Sequence, residues 1–158
     1  MAKSTPATLV LEQAGVAFTV HEYAYDPAAD RVGLQAAEAL AVAPETVFKT
    51  LMVMADGKPA CAVVASDRQV AMKQLAAALG AKSAAMMSPA DAERLTGYKV
   101  GGISPFGQRR RVPTVIDEAA LGQSAIFLNG GRRGLQVRLA PAEAVRTIGA
   151  TTAAIAAA

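Results

Sequence analysis

The stretch from Gly101 to Arg111 reads Gly-Gly-Ile-Ser-Pro-Phe-Gly-Gln-Arg-Arg-Arg, and the rest of the chain is organised around it. Its glycines permit positive φ and close backbone approach, while Pro105 stiffens the turn and removes one N–H. The remaining amides are expected to form a concave nest for an oxyanion or a phosphate. They belong to Gly101, Gly102, Ile103 and Ser104. A tight turn followed by a solvated basic strand end is the alternative interpretation.

The composition indicates one globular domain over residues 1–158. Hydrophobic residues make up 53% of the chain, which excludes a disordered chain and allows a sizeable buried core. No apolar run approaches the roughly 20 residues of a membrane span, and the N-terminus lacks the apolar segment of a signal peptide. We therefore expect a cytoplasmic protein with no membrane partner.

The chain offers little for a metal or a cofactor. It contains one cysteine and one histidine, so an internal disulfide is excluded and a Cys/His metal site is disfavoured. Residues 101–107 lack the G-x-G-x-x-G spacing of a dinucleotide site. No cofactor is predicted.

Two arginine clusters lie in the last third of a chain whose net charge is +3. Clustered cations of this kind favour a polyanionic partner, although a solvated charged face gives the same pattern. The residues concerned are Arg109, Arg110 and Arg111, and Arg132 and Arg133.

Hydrophobic periodicity and turn residues predict intermingled short helices and strands. Helices are predicted at 7–14, 33–41, 70–79, 89–97 and 141–148. Strands are predicted at 18–23, 47–55, 60–66, 82–87, 98–103, 112–116, 125–128 and 135–139. This order favours a mixed sheet with helices packed around it. The alanine-rich tail at 151–158 is expected to fray.

Lys49 is the most informative single residue. It lies on one face of a predicted interior strand together with Val47 and Leu51, where an ammonium group is costly to desolvate unless a pocket or counter-charge receives it. A pocket lysine can hold a phosphate or a developing oxyanion. In the alternative arrangement, the stem lies on apolar surface and the ammonium reaches water.

Other reactive side chains give weaker signals. His21 and Tyr23 share a strand face and could line one cavity, although a single histidine is more often structural. Cys61 has no nearby cation and is interpreted as a small core hydrophobe. A triad of Ser104, His21 and Asp117 is disfavoured because Ser104 is not in a nucleophile-elbow motif.

Four segments carry a family resemblance. They are Val-Phe-Lys-Thr-Leu around Lys49, the stretch Thr96–Arg111, Gly-Gly-Arg-Arg-Gly-Leu at Gly130–Leu135, and His-Glu-Tyr at His21–Tyr23. In this combination the chain resembles the YbaK/EbsC family of Cys-tRNA(Pro) deacylases, relatives of the editing domain inserted in bacterial prolyl-tRNA synthetases. The resemblance implies an α+β domain with a mixed, partly barrel-like sheet. The implied reaction is hydrolysis of the ester between an amino acid and the 3′ end of tRNA.

The same resemblance implies roles for individual residues. Lys49 corresponds to the family's essential pocket lysine, Tyr23 to its pocket tyrosine, and Gly101 and Pro105 to the ends of its G-x-x-x-P loop. Gln136 stands where relatives often have an acidic residue, which weakens the ionic hold on the substrate's α-ammonium. The full set of expected substrate-binding residues is Tyr23, His21, Pro105, Gln136 and Gly131, and the two arginine clusters are expected to bind tRNA.

The expected mechanism is substrate-assisted, with the cysteinyl thiol, a ribose hydroxyl or water attacking the carbonyl. A pocket built for proline rejects an amino acid of similar size by only about 1–3 kcal/mol, so a second hydrolytic site is needed. A domain of 158 residues can cover the acceptor end of tRNA but not the anticodon as well. Prolyl-tRNA synthetase is therefore the expected partner, with weak, salt-dependent free binding.

Three alternatives remain open from the sequence. The substrate could extend to Cys-tRNA(Cys), the enzyme could prefer another small residue as in Ala-tRNA(Pro), or the chain could be a non-catalytic RNA- or nucleotide-binding module. The last alternative would use the same arginine loops.

Overall fold

The computed structural model describes residues 4–28 and 34–157. Short 3₁₀ helices lie at Pro44–Thr46 and Glu118–Gly122. In chain order the elements are α1 (Pro6–Gln13), β1 (Thr19–Glu22), α2 (Gln35–Leu40), β2 (Phe48–Ala55), β3 (Lys58–Ala65), α3 (Met72–Ala78), β4 (Ala84–Met86), α4 (Pro89–Thr96), β5 (Thr114–Asp117), β6 (Ile126–Asn129), β7 (Leu135–Leu139), α5 (Pro141–Ile148) and β8 (Thr151–Ala153).

The helices begin and end where the sequence signals predict. Thr5 caps α1 in a capping box with Thr8, and Pro6 occupies the first turn. Ser88 caps α4 by accepting from the Asp91 N–H, and Gly97 ends that helix in the left-handed conformation. These caps satisfy terminal backbone groups that a short helix cannot satisfy by itself.

The strands form two sheets. β1, β7 and β6 form an antiparallel three-stranded sheet, and the second sheet has the order β4-β2-β3-β5-β8. The second sheet is mixed, because β5 pairs in parallel with both β3 and β8 while β2 pairs antiparallel with β3 and β4. A parallel bridge between Val47 and Phe127 links the sheets. The predicted α+β class and mixed sheet are confirmed, and the sheets do not close into a barrel among the described residues.

The central strands are buried on both faces, as their apolar pattern predicts. Met52 and Cys61 pack with Ile116 on one side of the sheet, and Val53 and Val64 pack in a second cluster on the other. Burying a side chain of this size stabilises the fold by roughly 1.5–3 kcal/mol. Helices cover both faces, so a polar side chain on β2 requires a local opening in this packing.

The predicted strand at 98–103 is wrong. The segment is a turn in which the Gly102 N–H donates to the Lys99 carbonyl (2.7 Å) and the Val100 N–H donates to the Glu93 carboxylate (2.9 Å). These bonds engage amides that a strand would use in its ladder, and Gly101 has a φ of 91° that extended backbone does not adopt.

The expectation of a frayed tail is also wrong for the described residues up to 157. Thr151–Ala153 forms β8 beside β5, and Ile155 is fully buried. The Asp117 carboxylate accepts from the N–H groups of Ile155 (2.9 Å) and Ala156 (3.2 Å). One buried isoleucine and one buried carboxylate therefore hold an alanine-rich segment against the sheet. Ala158 and Gly33, the first residue of a predicted helix, lie outside the described residues.

No helix in the described ranges combines the length and apolar character that crossing a bilayer requires.

Candidate active site

A cavity of about 300 Å³ lies where β2, the turn after α4, the end of β6 and β7 meet. Most of its wall is apolar. Five residues that the sequence singled out line it: Tyr23, Lys49, Gly101, Ile103 and Gln136. The structure thus brings together residues that are up to 113 positions apart in the chain.

Lys49 of β2 is one of the residues that line this cavity, and it is half-buried. It forms no ion pair within the described ranges. Burial lowers the pKa of Lys49 from the ordinary 10.5, and the negative charge of Asp67 acts in the opposite direction. An ammonium group that has lost part of its hydration and has no ion-pair partner among the described residues interacts strongly with an anionic ligand.

The turn that follows α4 presents its backbone to the same cavity. Gly101 and Ile103 line the cavity, and within the described ranges the N–H groups of Gly101, Ile103 and Ser104 have no acceptor. The Gly102 N–H is already engaged with the Lys99 carbonyl, which corrects the expectation that it is free to bind a substrate.

Asn129, which the sequence analysis did not single out, joins the two glycine-rich loops. Its side-chain amide donates to the Gly101 carbonyl (3.2 Å), and its Oδ1 accepts from the N–H groups of Gly131 (2.7 Å) and Arg132 (3.1 Å). The Asn-Gly-Gly sequence carried the signal, because an asparagine side chain often binds the amide two residues further on. The residues around Asn129 do not predict its contact with Gly101, which lies 28 residues earlier.

The loops also pack backbone against backbone. A β-carbon at Gly102 would lie 2.7 Å from the backbone nitrogen of Arg133. Only glycine permits this approach, so the position of the 101–104 amides depends on the neighbouring loop.

Two cavity residues carry buried polar atoms with no hydrogen-bond partner in the described part of the chain. They are Gln136 Oε1 and Thr50 Oγ1. Buried polar atoms are nearly always satisfied, so each unpaired atom calls for an explanation, and a bound ligand is one. Gln136 is among the substrate-binding residues expected from the sequence, whereas Thr50, which follows Lys49 in the chain, is not.

Tyr23 lines the cavity just after β1. Burial is the largest cause of a raised pKa at Tyr23, the neighbouring Tyr25 adds to it, and the Gln136 side chain acts in the opposite direction. The phenol therefore stays protonated at neutral pH and is available as a hydrogen-bond donor.

His21 is not among the residues that line the cavity, although Tyr23 on the same strand face is. Its Nε2 is 2.8 Å from Thr19 Oγ1, and its ring lies edge-on to Phe127 with a centroid separation of 5.2 Å. These contacts fit a structural histidine.

Three further predicted residues lie near the cavity without lining it. Ser104 is fully buried, and its hydroxyl accepts from the Phe106 N–H (3.2 Å). Pro105 lines a separate cavity of about 190 Å³. The Gly131 N–H donates to Asn129 Oδ1 and so belongs to the contacts that join the two glycine-rich loops.

The arginines divide into distinct environments. Arg111 donates to the Ile148 carbonyl (3.4 Å) and lines the separate cavity with Pro105, while Arg109 lies against Gly97. The backbone N–H of Arg110 donates to the Leu95 carbonyl. The structure therefore does not bring the 109–111 cluster to the wall of the Lys49 cavity.

Arg132 and Arg133 differ from each other although they are adjacent. Arg132 pairs with Glu22 (3.1 Å). Arg133 donates from Nε to the Val100 carbonyl (2.9 Å), and its guanidinium lies 5.4 Å from the ring centroid of Tyr25.

The cavity wall carries no activated protein nucleophile among the described residues. The Ser66 hydroxyl donates to the Pro44 carbonyl (2.9 Å), and no serine or threonine of the wall is hydrogen-bonded to a histidine or carboxylate. Cys61 is fully buried in the core, and burial raises its pKa to about 12. In the part of the chain that the structure describes, no three His, Cys, Asp or Glu side chains cluster so as to hold a metal ion.

Comparison with known proteins adds independent findings. Residues 26–147 match the family of the aminoacyl-tRNA editing domain. The chain is 35% identical over 141 residues to EbsC of Enterococcus faecalis, by its name a Cys-tRNA(Pro)/Cys-tRNA(Cys) deacylase, and the match covers 88% of this chain and 85% of EbsC.

Two further similarities are to proteins named for the charging of tRNA with proline or for editing in that reaction. A proline–tRNA ligase of Streptococcus suis is 36% identical over 78 residues, which cover 49% of this chain and 13% of the ligase. A solved structure described as a trans-editing enzyme for prolyl-tRNA synthetase superposes with a TM-score of 0.84 over 99% of this chain and 100% of the other. Its sequence identity of 24% establishes likeness of fold.

Proposed function

The chain belongs to the aminoacyl-tRNA editing domain family, and from this premise we propose that it hydrolyses the ester of mischarged Cys-tRNA(Pro). The observation that carries the proposal is the shared cavity, which is lined by the half-buried Lys49 and by Gly101 and Ile103, whose N–H groups have no acceptor in the described part of the chain. A site of this kind stabilises a developing negative charge and leaves the attack to the substrate.

In this arrangement the ester carbonyl lies against the turn. The N–H groups of Gly101 and Ile103 donate to the carbonyl oxygen as it becomes an oxyanion. Each donor of this kind contributes about 3 kcal/mol in the transition state. Lys49 adds positive charge beside the oxyanion or binds the phosphate of the terminal nucleotide.

The α-amino group of the substrate has two candidate acceptors. Gln136 Oε1 and Thr50 Oγ1 are the unpaired polar atoms of the cavity residues, and an ammonium group supplies N–H donors for both. Because Gln136 is neutral, it holds the amino group by hydrogen bonding without an ionic attraction. The amide also accepts the neutral amine, so substrate binding does not require the amine to be protonated.

The attacking group comes with the substrate. The cysteinyl sulfur loses its proton and attacks its own carbonyl carbon, the bond between that carbon and the ribose oxygen breaks, and the ribose oxygen takes up a proton. The products are uncharged tRNA and a thiolactone, which water then opens to free cysteine. Methionines 52, 86 and 87 line the cavity and give the side chain a soft, apolar surface that suits a thiol.

The proposal includes a partner and a location. Prolyl-tRNA synthetase, free or bound to tRNA, would select tRNA(Pro) among the other tRNAs, because a domain of this size contacts the acceptor end only. The similarity of a proline–tRNA ligase to half of this chain supports this choice. The reaction would take place in the cytoplasm, where aminoacyl-tRNA is used.

The deciding experiment compares tRNA(Pro) charged with cysteine, alanine or proline, together with Cys-tRNA(Cys), under one set of conditions. We expect rapid release of cysteine from tRNA(Pro) and little release of proline. Faster release of alanine would replace the proposed substrate with Ala-tRNA(Pro). Binding of every tRNA without any turnover would make the chain a non-catalytic RNA-binding module and overturn the proposal.

A further inference from the structure

Tyr25 lines the cavity, although neither its local sequence nor the roles discussed above give it a function. Its hydroxyl lies close to the 101–104 turn: a β-carbon at Gly101 would come within 2.5 Å of the Tyr25 hydroxyl oxygen. The Tyr25 side chain therefore lies beside the turn against which the proposed function places the reacting ester.

Arg133 contacts both Tyr25 and the turn that follows α4. Its guanidinium lies 5.4 Å from the Tyr25 ring centroid, within cation–π range, and its Nε donates to the Val100 carbonyl (2.9 Å). Within the described ranges Arg133 forms no ion pair and its two Nη groups have no acceptor. The charge is thus held in place by two contacts while most of its donors stay free.

The neighbouring arginine provides a contrast. Arg132 carries the same charge one residue earlier, but its guanidinium is paired with Glu22 (3.1 Å). An anion approaching this loop therefore meets one compensated and one uncompensated guanidinium. The uncompensated guanidinium, that of Arg133, contacts two residues of the cavity wall, Val100 and Tyr25.

We propose that Tyr25 and Arg133 together bind the 3′-terminal nucleotide of the RNA, with the Tyr25 ring stacking on the adenine and the Arg133 Nη groups binding its 5′-phosphate. This inference rests on the proposed function and adds the residues that seat the RNA end. Stacking on aromatic rings and bidentate pairing of arginine with phosphate are the two contacts that hold single-stranded RNA ends. With aromatic residues at 4% of the chain, few other rings are available for the first of them.

The test uses two substrates that share the terminal nucleotides. One is full-length Cys-tRNA(Pro), and the other is a short CCA trinucleotide charged with cysteine. Arg133→Gln removes the charge and keeps an amide that can donate to the Val100 carbonyl. Tyr25→Phe keeps the ring, and Tyr25→Leu removes it. Thermal unfolding of each variant is measured beside the kinetics.

For Arg133→Gln we expect KM to rise about tenfold on both substrates, with kcat changed by less than about twofold. The slope of log(kcat/KM) against log[salt] should become shallower by about 0.7, the value for one phosphate contact on a single strand. Tyr25→Leu should raise KM by about five- to a hundredfold, whereas Tyr25→Phe should stay close to the wild type.

Two comparisons control these values. Arg132→Gln should raise the KM for the trinucleotide less than Arg133→Gln does, because Glu22 already compensates Arg132. Arg146→Gln, on α5 and paired with Glu143, should leave both substrates unaffected.

The inference is overturned if Arg133→Gln changes the KM of full-length tRNA alone, or matches Arg132→Gln on the trinucleotide. Loss of binding in Tyr25→Phe as large as in Tyr25→Leu would overturn the stacking role. Failure of the wild type to release cysteine would instead overturn the proposed function. Binding of the uncharged CCA trinucleotide to wild type and Arg133→Gln then decides the inference without any turnover.

Discussion

Asn129 and Gly101 are joined by a hydrogen bond of 3.2 Å between the side-chain amide of one and the backbone carbonyl of the other. The Oδ1 atom of the same side chain accepts hydrogen bonds from the Gly131 and Arg132 N–H groups. One side chain therefore fixes the position of the cavity's amide donors relative to the second glycine loop. Asn129 therefore acts as a positioning residue for those donors.

We predict that Asn129→Ala lowers kcat about tenfold with little change in KM. The turn keeps its sequence but loses the support that aims its amides, and three backbone groups lose a partner at a cost of about 1–3 kcal/mol. Initial rates of cysteine release from Cys-tRNA(Pro) give kcat and KM, and thermal unfolding measures the loss of stability.

Asn129→Asp serves as the matched variant. Its carboxylate keeps the acceptor for Gly131 and Arg132 but cannot donate to the Gly101 carbonyl. Its kcat should fall as far as that of Asn129→Ala although its Tm falls less. Equal kcat in Asn129→Asp and the wild type would show that the bond to Gly101 does not position the site.

Lys49 leads to a prediction in which activity and stability change in opposite directions. Lys49→Met should lower kcat/KM at least about a hundredfold, because a half-buried charge beside the oxyanion is lost. The same change should raise Tm at pH 7 by up to about 2 °C, because the folded state no longer has to desolvate an ammonium group. Lys49→Arg should also lose most of its activity, since a planar guanidinium does not fit a site shaped for an ammonium. A Lys49→Met variant with full activity would contradict the proposed role.

The lowered pKa of Lys49 fixes the sign of a pH dependence. In the folded state the group loses its proton below 10.5, so from its folded pKa up to 10.5 the unfolded state binds more protons and stability rises with pH. The Tm advantage of Lys49→Met should therefore shrink as pH rises through this window. Paired unfolding curves of wild type and variant between pH 7 and pH 10.5 measure it. A gap that widens with pH would contradict this sign.

Glycine at 102 gives a prediction about loop packing. A methyl group there would lie 2.7 Å from the Arg133 backbone nitrogen, and backbone cannot move aside as a side chain can. Gly102→Ala should therefore destabilise the protein by about 1–3 kcal/mol and separate the two loops, with a loss of deacylation. Gly122→Ala is the matched control, because a β-carbon at Gly122 meets nothing within 4 Å. Equal Tm values for the two variants would show that the loops do not depend on this contact.

The sequence predicts the elements whose signals are local. The strand predicted at 47–55 is apolar on both faces and lies inside a sheet, between β4 and β3, and Ser88-Pro89 begins a helix as expected. The prediction of a strand at 98–103 is wrong because Tyr98 and Val100 favour strands, whereas the Glu93 carboxylate that accepts from the Val100 N–H lies seven residues earlier. A β-propensity pattern does not reveal such a competing acceptor.

The site residues also divide into those with a signal in the sequence and those whose role depends on contacts distant in the chain. Lys49 stands out because a cation interrupts an apolar strand face, and Gln136 stands out through the family resemblance. Tyr25 and Asn129 do not stand out, because Asn129 contacts Gly101, 28 residues away, and Tyr25 contacts Arg133, 108 residues away. The buried tail was missed for a related reason: the Asp117 carboxylate that binds it lies 38 residues earlier.

The substrate-assisted mechanism predicts that the thiol of the substrate matters and the thiol of the protein does not. Cys61 is fully buried, with a pKa raised to about 12, so it is neither accessible nor ionised at neutral pH. Cys61→Ala should keep the rate of cysteine release within about twofold of the wild type, with a stability loss of about 1 kcal/mol from the lost packing.

The substrate arm of the same prediction uses tRNA(Pro) charged with S-methylcysteine, which keeps the sulfur but cannot form a thiolate. We expect its release to be slower than that of cysteine by at least about a hundredfold, because the internal attack on the carbonyl is removed while the oxyanion donors stay in place. Alanine, which is smaller than cysteine and has no thiol, should be equally slow, and this excludes size as the cause of the difference. Release of all three amino acids at similar rates would assign the attack to water and remove the sulfur from the mechanism.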